Sequence, residues 1–334
     1  MDLMRWSTPR VLVVPVRAGR AVRLDVERLM RERGWESAAS PADADLLVVC
    51  GTPDADTGAA VDRVWNLLGS PRARADIPVR HGVAERLDRA RAELGDRPGR
   101  PSGRTSGRRR PAPGDRPDDS DDDTRTDHDG DVAGLPMAER APDRDGLTLD
   151  RLHLTLGPVL PDWPAGLVVR LAVQGDVVQT AAVEVWGEPG GRWDGPPAAA
   201  ALDSLARLLS VCGAATATRR ARRLRDEVLA GSADPAALNR FARRLRRSWT
   251  LRWATDGVGR LDGRHGDLTG DATQRCRRWL DVVAGSPPVP GEDRTAAVLT
   301  ALPGLLEGQE LATVRVVVAS LDPDLESSGT GATS

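Results

Sequence analysis

The sequence has no lysine and no tyrosine, a single phenylalanine (Phe241), three cysteines and four histidines in 334 residues. Each scarcity excludes a chemistry. Cys50, Cys212 and Cys276 lie far apart with no CxxC spacing, whereas an iron-sulfur cluster needs four thiolates and a structural zinc needs four Cys or His ligands in local pairs. The odd count also argues against a disulfide framework. No window approaches the roughly 18 to 20 apolar residues that span a bilayer, so the expectation is a soluble, cytoplasmic chain. There is no GxSxG elbow, no Walker GKS/T and no GxGxxG. The turn after the first apolar run, Val16-Arg17-Ala18-Gly19-Arg20, holds one glycine, although a helix starting near Arg20 would still attract an anion. His81, His128, His153 and His265 are isolated and read as structural.

What is abundant is arginine. It supplies all 47 basic residues, against 49 acidic ones, for a net charge of −2. That balance gives no bulk attraction to nucleic acid or an anionic membrane. The accompanying excess of Ala, Gly, Pro and Asp is what GC-rich codons produce, which lowers the weight of any arginine cluster. One cluster still stands out: Ala214 to Arg260 carries twelve arginines and four acids. Its candidate anion patch is Arg219, Arg220, Arg222, Arg223, Arg243, Arg244, Arg246 and Arg247. Phosphate, carboxylate or the chain's own acidic segment are its natural partners.

Periodicity divides the chain into an α/β unit over 1–94, a charged linker over 95–145, a helix-rich α+β unit over 146–325 and a short tail. RVLVVPV and DLLVVCG read as buried strands, and residues 22–34, 58–69 and 83–94 as helices, implying a flavodoxin-like parallel sheet. The linker is rich in Pro, Gly, Ser and charge, with nine aspartates between Asp115 and Asp131, and reads as disordered; Asp121 to Asp123 with His128 would hold a cation only weakly. After it, 167–173 and 177–186 form a β-hairpin around Gln174-Gly175-Asp176. Helices follow at 198–211, 217–231, 236–249, 271–284 and 294–307, and LATVRVVVASL (311–321) reads as a late strand.

Ahead of the hairpin lies HLTLGPVLPDWPAGLVVRL, whose three prolines within seven residues fix a rigid loop from Gly157 to Gly166. Together with SPADADLLVVCGT near residue 40, this stretch carries a family resemblance. Ser40, Pro41, Ala44, Asp45, Leu46, Val49, Gly51, Thr52, Val64 and Pro71 resemble the cluster-bearing small subunit of NADH-quinone oxidoreductase and of nickel-iron hydrogenases. Gly157, Pro158, Pro161, Gly166, Leu167, Arg170 and Leu171 resemble the loop and hairpin of the partner quinone-site subunit, and Ala319 to Asp322 echo its C-terminal part. The departures concern the chemistry. The regions where the small subunit has cluster cysteines read RAGRAVRLDV and ADIPVRHGVAERL. Where the family loop has a histidine stands Leu160, before Pro161, Asp162 and Trp163, and the family's quinone-binding tyrosine has no counterpart.

The resemblance therefore implies a fusion of the two subunit types that kept the architecture and lost the redox centre. The expectation is a non-catalytic accessory or assembly protein of that lineage, without metal, cofactor or catalytic residue. It would bind protein subunits of a respiratory-type complex, with no transmembrane segment of its own and peripheral membrane association through such a partner. Gly157, Pro158, Leu160, Pro161, Asp162 and Trp163 mark the degenerate quinone loop. Two alternatives are an anion or nucleic-acid binding module using helices 217–249, and a quinone oxidoreductase subunit whose cofactor comes from a partner chain.

Overall fold

A computed structural model describes residues 8–96, 139–142, 148–191, 193–263, 268–288 and 295–326. The linker around Asp121 to Asp123 and His128, together with His265 and the last eight residues, lies outside them.

The N-terminal unit is built on strands β1 (Arg10–Pro15), β2 (Glu36–Ser37), β3 (Leu46–Cys50) and β4 (Ala73–Ile77), paired in parallel in the order β2-β1-β3-β4. β3 is buried along its whole length, as expected of a parallel strand covered on both faces. Its alternate side chains serve two cores. Leu46, Val48 and Cys50 meet α1 (Arg20–Glu32) and α3 (Val83–Asp96) through Val22, Val26, Met30 and Leu87. Leu47 and Val49 meet Val61 of α2 (Ala55–Leu67). Each such fully buried Val or Leu contributes about 1.5–3 kcal/mol.

The C-terminal unit pairs an antiparallel sheet, β5-β6-β7-β8, with a helical bundle. The strands are β5 (Glu139–Pro142), β6 (Thr148–Leu156), β7 (Leu167–Gln174) and β8 (Val177–Val185). The expected hairpin is β7–β8, with Gly175 at φ +62 in its turn. Two further strands, unforeseen in the sequence, extend it. The bundle contains α4 (Pro197–Val211), α5 (Ala215–Leu229), α6 (Pro235–Arg246), α7 (Trp249–Thr255), α8 (Ala272–Val283), α9 (Thr295–Leu306) and α10 (Leu311–Leu321). α4 is its hub, packing Leu202, Leu205 and Leu209 with Leu224, Phe241 and Leu280.

The structure departs from the sequence reading at two places. Residues 311–321 form helix α10, not a strand. Val314, Val317, Val318 and Leu321 fall at i, i+3, i+4 and i+7 and enter the core beneath β7, and this tertiary burial overrides the β-branched preference. ARADI, to which the sequence reading gives no element, is edge strand β4. Its Ala73, Ala75 and Ile77 point inward, while Arg74 and Asp76 pair with each other outside.

The turn from β1 to α1 is drawn tightly against the end of β3. A Cβ on Gly19 would lie 1.9 Å from the Cys50 carbonyl oxygen, and one on Gly51 would lie 2.6 Å from Val16 Cγ2. Gly19→Ala is expected to lower stability by about 2 kcal/mol or more. Gly34→Ala, at φ +69 with nothing within 4 Å of its Cβ, should lose only about 1 kcal/mol. Urea midpoints at unchanged slope check the order; equal losses would mean the close approach at Gly19 relaxes freely.

Candidate functional site

In open parallel sheets ligands sit beyond the carboxyl ends of the strands, where the strand order switches. Here that point lies between β1 and β3, and it faces the C-terminal unit across a cleft of about 1140 Å³. The anion position at the start of α1 is already filled. The Arg20 backbone amide donates to Glu326 Oε1 at 2.8 Å, the Arg20 guanidinium pairs with Asp324, and the amides of Gly190 and Gly191 hold the Glu326 carbonyl. Burial pushes the Glu326 carboxyl above its ordinary value, with the Arg20 charge opposing. Beside it, buried Arg17 donates from Nε to the Leu325 carbonyl at 2.6 Å and from Nη1 to the Gly187 carbonyl at 2.7 Å. Glycine at 187 and 190 leaves room for this turn, since a Cβ on Gly190 would meet Ala18 Cα at 2.4 Å.

Deeper in the interface, α1, α4 and α5 share a buried ionic network. Arg23 Nη2 donates to Asp203 at 2.6 Å and its Nη1 to Glu27 at 2.8 Å. Arg225, with no exposed surface, donates to Asp203 at 2.6 Å and lies 2.9 Å from Glu27 Oε2, which it meets as a charge without hydrogen-bond geometry. Arg31 pairs with Asp226, which Arg225 also contacts. Arg207 joins Asp203 to Asp322, whose left-handed backbone (φ +43) ends α10 and whose carboxylate also accepts from Ser204. Arg222 closes the set by pairing with Asp162 at 2.6 Å. Five guanidinium groups thus face five carboxylates.

Burial alone would raise Glu27 and Asp203. The charges of Arg23, Arg225 and Arg222 around Glu27, and of Arg23, Arg207 and Arg225 around Asp203, outweigh it and hold both carboxyls far below the ordinary range. Arg23, whose burial works the other way, is held above its ordinary value by Asp203 and Glu27.

The Gly157–Gly166 loop forms part of this cleft and bridges the two units. Its Val159 packs against the α2 face of the parallel sheet, whereas Leu160 and Trp163 enter the core beneath β7. Trp163 is 3% exposed and donates from Nε1 to the Leu167 carbonyl at 2.8 Å. The Pro161 carbonyl accepts from Arg315, and Asp162, at φ +56, is held by Arg222. Gly157 is required by contact: at φ +84, a Cβ there would lie 2.1 Å from the Leu167 carbonyl oxygen. Of the six residues marked from the sequence, Pro161, Asp162 and Trp163 line the cleft.

The arginine patch does not stay whole. Arg222 turns inward to the network with Arg225, Arg246 pairs with Asp281, and Arg219, Arg223, Arg243, Arg244 and Arg247 are exposed. Half-buried Arg220 lies between these groups on α5. The cysteines are poor nucleophiles: burial raises Cys50 strongly, Cys212 to about 11 and Cys276 to about 12, leaving almost no thiolate at neutral pH.

Arg23, Glu27, Asp203, Arg207 and Asp322 escaped the sequence reading. A usable signal was there: AAAALDSLARLLSV places one aspartate inside an otherwise apolar helix, with an arginine four residues on. A charge inside an apolar run demands a partner from elsewhere in the fold.

No family model, curated protein or solved structure matches the chain.

Asp203→Asn is expected to cost about 3–5 kcal/mol, because it strands Arg23 and Arg225 in the interface. The wild-type acid limb follows from sign. Asp203 and Glu27 titrate lower folded than unfolded, so their stabilisation is complete above about pH 5 and is lost as pH falls below about 4. Denaturation midpoints between pH 3 and 7, on the order of this window, should fall steeply for the wild type and less steeply for Asp203→Asn. Parallel curves would show that Asp203 does not carry the linkage.

Proposed function

We propose that this chain is a non-catalytic, single-polypeptide counterpart of the small and large subunit pair of the NADH-quinone oxidoreductase and hydrogenase lineage. It would act as an accessory or assembly partner of a respiratory-type complex. The observation that carries the reading is the loop at the cleft. In the family it resembles, that loop brings a histidine to the quinone. Here its polar groups are engaged within the C-terminal unit: Asp162 by Arg222, Trp163 Nε1 by the Leu167 carbonyl and the Pro161 carbonyl by Arg315. Two further features agree. The anion position of α1 is filled by Glu326, and the three thiols are held protonated by burial. What remains is a rigid two-unit frame suited to contacting other subunits.

The test is purification of the tagged chain from its native cells. The expected outcome is co-purification of subunits of an NADH-quinone oxidoreductase or hydrogenase-type complex, with no iron bound to the chain itself. A stoichiometric iron-sulfur cluster would overturn the reading. So would reduction of a quinone analogue by the isolated chain that disappears in Asp162→Ala.

A further inference from the structure

We propose that the ridge formed by α6 and α7 is a docking surface for an anionic lipid bilayer. This goes beyond the accessory role above and does not rest on it. α7 is seven residues long and is fixed from beneath. Leu251 and Thr255 are buried toward α8, Thr255 Oγ1 meets Thr273 Oγ1 at 2.7 Å, and Ser248 caps the first turn by accepting from the Leu251 amide. At 100° per residue, the face opposite Leu251 and Thr255 belongs to Trp249 and Trp253, four residues apart and side by side. They are 73% and 78% exposed, more than any other large apolar side chain among the described residues. Two adjacent tryptophans in water are an unmet apolar surface, and the tryptophan ring, apolar with one N–H donor, is at home at the headgroup level of a membrane.

The charge around this crest is predominantly positive, with exposed Asp256 at the end of α7 as the acid nearest the rings. On α6, Phe241, Ala242 and Leu245 face the bundle, leaving Arg243, Arg244 and Arg247 exposed. Arg252 flanks the tryptophans on α7 and is also exposed. Among the described residues none of these four forms an ion pair, whereas neighbouring Arg240 and Arg246 are taken up by Asp234 and Asp281. Two exposed aromatic rings on α7, with exposed guanidinium groups on α7 and the adjoining α6, match a planar anionic surface, phosphates for the arginines and the acyl boundary for the rings. Single-stranded nucleic acid fits less well. It favours a cationic groove lined with aromatic platforms, and the exposure of both rings leaves no facing wall. With a net charge of −2 on the whole chain, the attraction is confined to the ridge, which suits a surface that touches only the ridge.

The test is co-sedimentation of the full chain with vesicles of phosphatidylcholine alone and of an equimolar mixture with phosphatidylglycerol. Binding is expected to the mixed vesicles only and to weaken as salt is raised. Trp249→Ser/Trp253→Ser should weaken it about a hundredfold and abolish tryptophan quenching by brominated lipid. Arg243→Gln/Arg244→Gln/Arg247→Gln should weaken it by a similar factor, about fivefold per arginine. These side chains are exposed, so thermal unfolding of both variants should match the wild type, showing that any loss is not misfolding. The proposal fails if the chain ignores the mixed vesicles, binds neutral ones equally, or binds undiminished in the tryptophan variant. It also fails if a single-stranded oligonucleotide or polyglutamate at the same salt binds the ridge more tightly than the vesicles do.

Discussion

Everything at the centre of this molecule depends on the pairing of Arg23 and Glu27 on α1 with Asp203 and Arg225 from the bundle. Taking such charges out of water is expensive, and their mutual attraction only roughly offsets the loss. The network is therefore better understood as a constraint on geometry than as a store of stability. Apolar surfaces slide over one another at small cost, but a buried guanidinium that loses its carboxylate has nothing to replace it. Fixing α1 against α4 and α5 in one position also fixes the cleft, because Arg222 and Arg207 extend the same network to Asp162 in the loop and Asp322 at the end of α10.

The sequence and the structure agree where a single periodicity dominates. RVLVVPV and LLVVC have no alternation because both faces are covered, and the three crossover helices follow from their apolar stripes. The reading fails where two signals conflict. VRVVVASL is β-branched in composition but helical in spacing, and spacing wins because α10 lies against both sheet and bundle. ARADI alternates correctly, yet its inward residues are mostly alanines, too small to announce a strand. The second sheet was half legible: β7 and β8 are joined by a glycine turn, whereas β5 and β6 are linked to them through the proline loop and carry no hairpin signature.

The site divides in the same way. The loop residues could be found because three prolines and a tryptophan in one short stretch are conspicuous, and Pro161, Asp162 and Trp163 among them line the cleft. The ion pairs could not, since a partner 180 residues away, as Asp203 is from Arg23, leaves no local trace. The arginine cluster shows the opposite failing. On the sequence it is one patch, and in three dimensions it separates into an inward pair that neutralises the interface and an outward ridge beside Trp249 and Trp253. Helical phase makes the separation: Arg222 and Arg225 lie on the same side of α5 as buried Ala221 and Leu224.

The bond from the Arg20 amide to the Glu326 carboxylate spans 306 positions. It ties the first turn of α1 to nearly the last residue described. As the chain leaves the ribosome the N-terminal unit can form its strands early, but the first amide of α1 must stay hydrated until the far segment arrives. The order of synthesis thus becomes an order of completion, in which the oldest part of the molecule is finished last.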